Sequence, residues 1–343
     1  MLYRYTIILV TKYRITLLAL ITLTIGLLQT CMIAVAKEPI NQPTPELHKE
    51  LVIQSDDRER RAFLYVPKNL QDKTTAKPAP LVIALHGFGS TAGKIVKDMQ
   101  WSEKAEKESF IVVYPQGSRA KPKQAANLWK NPQSWNDGAG RFYSGKENVD
   151  DVNFIRELIS SVSESYSIDS QRIYITGFSN GAAMTFRLGA ELSEIVCAIA
   201  PSAGSDWNKN IKIPGKLSMI YITGTKDTLN PIDGGIPHIA AAKKRTEVRE
   251  DDRKKPPVID SINKWIKALN CSQKAISDLL DNGIRTRIYN AENGNKVKFI
   301  TIDGHGHAWP GNPVKQPKMI VGNTVDKLNA TDMIWQFFET CQK

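Results

Sequence analysis

The chain has 343 residues, 41% of them hydrophobic, and 46 Lys and Arg against 35 Asp and Glu give it a formal net charge of +11. That is enough length for a large core, somewhat beyond a typical single domain. The excess charge does not point to nucleic acid: much of it gathers in "AAKKRTEVREDDRKKPP", where acids are mixed in and no aromatic residues interleave. A solvated basic insertion near residues 234–257 is the expectation, with no nucleic-acid partner. No Cys–His spacing resembles a zinc site, so no metal is expected.

The first segment is set apart from the rest. Lys12 and Arg14 precede the apolar run "ITLLALITLTIGLLQTCMIAV", which leads into Ala34-Val35-Ala36. A basic flank, an apolar core and an A-x-A site read as a secretory signal peptide over residues 1–36, cleaved after Ala36. An uncleaved anchor is the alternative, because about 20 apolar residues span a bilayer; membrane contact is expected only in that case. Lipidation at Cys31 fits less well, since Gln29 and Thr30 are not small. Residues 37–343 then read as one secreted domain, extracellular or periplasmic.

In chain order, "ELVIQ" and "RRAFLYVP" read as two antiparallel strands at a sheet edge. "LVIALHG" is a continuous apolar run of the kind found in buried parallel strands. "GKIVKDMQWSEKAEKES" reads as one helix before the strand "FIVVYPQG", and residues 118–148 as loop. Helix "VDDVNFIRELISSVSESY", strand "RIYITG", helix "NGAAMTFRLGAEL" and strands "VCAIAPSAG" and "LSMIYITG" follow. Helix "VIDSINKWIKAL", strand "VKFITID" and helix "LNATDMIWQFFET" finish the chain. Strands alternating with helices imply a mainly parallel sheet covered on both faces. In such sheets functional groups gather beyond the carboxyl ends of the strands.

Gly177-Phe178-Ser179-Asn180-Gly181 fits G-x-S-x-G, set between a strand and a helix. A tight turn there lifts a serine hydroxyl above the sheet, and the helix start offers unpaired N–H groups to a developing negative charge. A serine needs a base. His305 and His307 follow the strand "VKFITID" in "GHGHAWPG"; His307 is favoured because the rigid "AWPG" fixes it, with His305 as the fallback. The base needs a carboxylate to orient it. Asp227 lies past the strand "LSMIYITG", between Ser179 and the histidines in sequence. Asp233 in "PIDGG" is a weaker rival, and Asp150 and Asp151 read as helix-start acids. "LHGFGS" follows the first buried strand and supplies a second oxyanion amide at Phe88, beside that of Asn180; His86 reads as structural. Trp135, Trp309 and His305 are candidates for lining a substrate pocket. Cys197 reads as a buried free thiol, and Cys271 and Cys341 as a disulfide tying down the last helix.

Taken together, "LHGFGS", "VYPQG", "SWN", "VDDVNFI", "GFSNGAAMTFRLG", "GTKDTLNPIDGG" and "GHGHAWPG" resemble the secreted polyhydroxybutyrate depolymerase-like and feruloyl or acetylxylan esterases. The likeness runs from about Arg61 to Gly311. It implies an α/β-hydrolase fold and cofactor-free hydrolysis of carboxylic esters, with the family's serine, aspartate and histidine falling on Ser179, Asp227 and His307. His305 departs from the family block, which usually has glycine there, and the basic insertion is longer than expected. No Thr- or Pro-rich linker and binding module follows the last helix, which favours soluble, oligomeric or polysaccharide-linked esters over a crystalline polymer. A serine peptidase on the same fold and a non-catalytic binding protein are the alternatives.

Overall fold

The computed structural model describes residues 48–72, 77–239 and 253–343. The leader, Cys31 and most of the basic insertion lie outside the described residues. Among the described residues ten strands form one sheet in the order β1-β2-β4-β3-β5-β6-β7-β10-β9-β8. The edge hairpin is β1 (Lys49–Ser55) and β2 (Arg58–Tyr65), paired antiparallel as the sequence suggests. The next strands are β3 (Ala79–Leu85), β4 (Ile111–Pro115), β5 (Ile168–Phe178), β6 (Ala198–Ser202), β7 (Ser218–Gly224) and β10 (Lys296–Ile302), and neighbours among these six run parallel. All seven residues of β3 are buried, as the uninterrupted apolar run requires of a strand covered on both faces.

Period-two alternation divides the core in two. Leu81, Ile83 and Leu85 of β3, with Met219 and Tyr221 of β7, face α4 (Asp151–Ser165), α5 (Asn180–Glu191) and α6 (Val258–Ala268). Val82 and Ala84, with Ile220 and Ile222, face α1 (Ala92–Met99), α2 (Trp101–Glu108) and α8 (Ala330–Phe338). Helix α3 (Phe142–Lys146) interrupts the long loop before α4, and α7 (Lys318–Val321) lies between β10 and α8.

Three local expectations change. The single helix read over "GKIVKDMQWSEKAEKES" is two, because Gln100 takes a left-handed conformation (φ 54°) between α1 and α2. A hairpin, β8 (Ser277–Asp281) and β9 (Ile284–Asn290), stands on the edge beside β10, where the sequence reading placed no strand. Asn282 and Gly283, both at positive φ (46° and 75°), turn it. The third correction is the disulfide. Cys197, Cys271 and Cys341 are all free and buried. Cys271 belongs to the core on the α4–α6 face and Cys341 to the core on the α8 face, so the two thiols lie in different halves of the core. The last helix is instead held by packing, with Phe110 stacked on Trp335 at 4.0 Å and Tyr174 on Phe338 at 4.5 Å.

Asp150 caps α4, its carboxylate accepting the Asn153 amide at 2.9 Å. Asp151, read as a first-turn acid, is fully buried and pairs with Arg60 at 2.6 Å while accepting the Asn136 amide at 2.7 Å.

Candidate active site

Strand β5 delivers the chain to Ser179, whose φ of 57° and ψ of −115° make the sharp turn into α5. Such a conformation is costly for a residue with a Cβ and persists only where the surroundings hold it. Those surroundings demand two glycines. A Cβ on Gly177 would collide with the Gly181 carbonyl oxygen, and one on Gly181 would lie 2.5 Å from the carbonyl oxygens of both Leu85 and His86. The G-x-S-x-G spacing is therefore a packing requirement of the turn as well as a chemical motif.

Two further loops meet the serine. Asp227 stands three residues past β7, its side chain fully buried. One carboxylate oxygen accepts the amides of Leu229 (2.9 Å) and Asn230 (2.7 Å), and the other lies 2.8 Å from His307 Nδ1. His307, past β10, brings Nε2 to 2.9 Å from Ser179 Oγ. Its own amide donates to the Val321 carbonyl at 2.6 Å, and its ring packs on Phe178 at 4.8 Å. Ser179, Asp227 and His307 are thus brought together in a continuous chain. The rival acid Asp233 is exposed and takes no part in it.

His307, and not His305, is the histidine hydrogen-bonded to Ser179 among the described residues. His305 is buried, Nε2 donating to the Ala308 carbonyl at 3.0 Å and Nδ1 accepting the Val325 amide at 3.2 Å. Burial lowers its pKa, which favours the neutral ring those two bonds require. The expectation that it contacts substrate is corrected: both nitrogens are committed to bracing the loop that carries His307.

Trp309 and Trp135 are corrected in the same way. Trp309 is 3% exposed, packs in the core on the α8 face and donates Nε1 to Thr331 Oγ1 at 3.1 Å. Trp135 has no exposed surface. Its Nε1 donates to the His86 carbonyl at 2.9 Å and its amide to Asn180 Oδ1 at 2.8 Å. It therefore ties the loop of Phe88 to the turn of Ser179. Among the described residues neither the Phe88 nor the Asn180 amide donates an intramolecular hydrogen bond. The Phe88 ring stacks on Phe142 at 4.1 Å.

His86 is structural, as read. Nε2 accepts the Gly117 amide at 2.9 Å and Nδ1 faces the Gly87 carbonyl at 2.8 Å. Burial pushes its pKa down to about 4, partly offset by the Gly87 bond, with Arg60 adding to the fall.

The sequence reading missed a polar group behind the serine turn. Asn180 Nδ2 donates to Asp137 Oδ2 at 2.8 Å, and Asp137 is paired with the buried Arg141 at 2.7 Å. The signal was "SWNDGAGR", in which two charged residues four apart flank glycines.

A mainly parallel sheet with a serine on a strand–turn–helix elbow, and Asp and His past later strands, defines an α/β-hydrolase. Residues 72–253 match the family described as Phospholipase/Carboxylesterase, and the chain belongs to that family. It is 28% identical over 241 residues to feruloyl esterase B of Piromyces equi, covering 68% of this chain and 40% of that protein. It is 32% identical over 145 residues to poly(3-hydroxyalkanoate) depolymerase C of Paucimonas lemoignei, covering 42% of this chain and 31% of that one. The chain thus spans well under half the length of these two relatives. The acetyl xylan esterase structure from Aspergillus awamori superposes with a TM-score of 0.54 at 16% identity, over 84% of this chain and 99% of that one, a likeness of fold.

Proposed function

We propose that the protein is a serine esterase that cleaves carboxylic esters through an acyl-enzyme on Ser179. The observation that carries this reading is the hydrogen-bonded chain from Ser179 Oγ through both nitrogens of His307 to Asp227. As Oγ bonds to the ester carbon, its proton passes to His307 Nε2 and the carbonyl electron pair moves onto oxygen. The amides of Phe88 and Asn180 hold that oxyanion, while Asp227 steadies the imidazolium. Collapse breaks the bond to the alcohol oxygen, which takes the proton from His307. Water, giving a proton to His307, then attacks the acyl-serine; the acid leaves and Oγ recovers its proton. No cofactor enters this sequence.

The relatives named for feruloyl and poly(3-hydroxyalkanoate) esters support a substrate among acyl groups on polysaccharides or hydroxyalkanoate oligomers. The basic, apolar and A-x-A pattern of residues 1–36 supports secretion, with residues 37–343 as one catalytic domain. Ser179→Ala is expected to abolish both p-nitrophenyl acetate hydrolysis and fluorophosphonate labelling while leaving the circular-dichroism melt in place. Retained turnover refutes the assignment. Feruloyl, acetylxylan, hydroxybutyrate-oligomer and peptide substrates, assayed side by side, identify the acyl group and separate esterase from peptidase.

A further inference from the structure

Near the end of the basic insertion, Lys255 packs behind Asp227. The Lys255 amide donates to the Gly235 carbonyl at 2.8 Å and its carbonyl accepts the Gly235 amide at 3.0 Å, stitching it to the turn that follows Asp227. The side chain is not on the surface: Lys255 is 7% exposed, in a stretch whose preceding residues Arg253 and Lys254 are both exposed. Its Nζ reaches Asn230 Oδ1 at 3.4 Å.

Asn230 is a hub. It is 1% exposed, and Oδ1 also accepts Ser205 Oγ at 2.7 Å, while Nδ2 donates to the Tyr221 hydroxyl at 3.1 Å. Its amide donates at 2.7 Å to the Asp227 oxygen that does not face His307. Asp227 from the loop after β7, and Asp137 and Arg141 from the loop before α3, are the charged groups whose fields reach Lys255. Burying an ammonium without an ion pair costs several kcal/mol, so an ordinary solvated lysine gains nothing by entering here.

We propose that Lys255 is a positioning residue for the reaction: its buried amino group holds Asn230, and through it the turn of Asp227, and its charge weakens the hold of Asp227 on the His307 imidazolium. The inference rests on the triad reading above. Two consequences follow. With Lys255 charged, forming a second positive charge on the nearby His307 ring during the reaction costs more. Burial, with Arg141 adding to it against the two carboxylates, brings the Lys255 amino group down to about 7, so this charge is itself lost near neutrality.

The test is the pH profile of kcat/KM for p-nitrophenyl acetate, with fluorophosphonate labelling measured in parallel on the full chain. Lys255→Met is expected to be labelled at Ser179 and to show its acid limb moved up by roughly half a pH unit, the size expected of one nearby charge. Lys255→Arg is expected to keep the limb where the wild type has it. Normal labelling with an unmoved limb in Lys255→Met overturns the inference alone. An unlabelled wild type overturns the triad reading and the inference with it. Should Lys255→Met fail to fold, wild-type lysine ζ-15N and aspartate carboxyl 13C resonances are followed together. A lysine midpoint below about pH 9, shared by the Asp227 carboxyl, supports the role, and the absence of one overturns it.

Discussion

Acid should unfold this protein partly through one residue, His86. Just past β3, a strand buried along its whole length, its ring sits between the Gly87 carbonyl and the Gly117 amide. The Nδ1–H tautomer satisfies both, donating to Gly87 and accepting from Gly117. Protonating Nε2 would break the second bond and put a charge in a fully buried site. The folded value is therefore about 4, against 6.5 for the unsolicited imidazole. Between those two values the unfolded chain binds a proton that the native chain does not. Stability from this group is thus complete above about 6.5 and is lost as pH falls toward 4. A difference of this size corresponds to about 3 kcal/mol. Urea unfolding at about pH 7.5 and about pH 4 measures the loss, in wild type and in His86→Gln, whose amide oxygen can still accept from Gly117. The wild type is expected to lose about 3 kcal/mol more than the variant across that interval. Equal losses would mean that His86 already carries a proton in the native state, or that its burial is relieved by water.

Asp227→Asn keeps an acceptor for the Leu229 and Asn230 amides but presents an NH2 to His307 Nδ1, forcing the wrong tautomer; kcat for p-nitrophenyl acetate should fall about 10⁴-fold with an unchanged melting curve. Gly181→Ala puts a methyl 2.5 Å from two backbone oxygens, so it should cost about 3 kcal/mol or more in urea unfolding and lose activity as the serine turn shifts. Cys197, Cys271 and Cys341 should resist Ellman's reagent in the folded protein and all react in denaturant without reductant, because each is buried and unpaired. A mass shift on reduction alone would contradict that.

The parts of this fold that depend on local pattern were legible in the sequence. Seven consecutive buried residues in β3 follow from an apolar run too long for a surface strand, and the serine turn follows from glycines that nothing larger can replace. The order of Ser179, Asp227 and His307, each past a different strand, pointed to three side chains that the structure joins by hydrogen bonds. What failed were inferences about which side of something a residue lies on. Cys271 and Cys341 each follow a helix, yet the helices cover opposite faces, and that is decided by crossover connections rather than by either segment. Trp135, Trp309 and His305 lie in polar, glycine-rich stretches that suggest a wet cleft, but each spends its polar atoms on backbone or hydroxyl partners inside the protein. The β8–β9 hairpin has Leu279 and Leu280 exposed, so no apolar face marked it; the Asn282-Gly283 pair was its one signal.

His305 and Trp135 explain how loops from separate strands hold Ser179, Asp227 and His307 at hydrogen-bonding distance. The loops of Asp227 and His307 are joined before either side chain is considered. Thr225 donates its amide to the Ile302 carbonyl at 3.0 Å, and Lys226 donates to the His305 carbonyl at 2.9 Å. The Gly304 amide returns a bond to Thr225 Oγ1 at 3.0 Å. His305 then fixes the next turn through Ala308 and Val325, leaving His307 little freedom to move relative to Asp227. On the other side, Trp135 joins the Phe88 loop to Asn180, so the two candidate oxyanion donors are set by one indole and one amide side chain. Catalytic geometry of this kind is useful only if it exists before the substrate arrives, since dipoles that must reorganise lower the barrier less. His305 and Trp135 spend their polar atoms on a rigid frame around Ser179, His307 and Asn180.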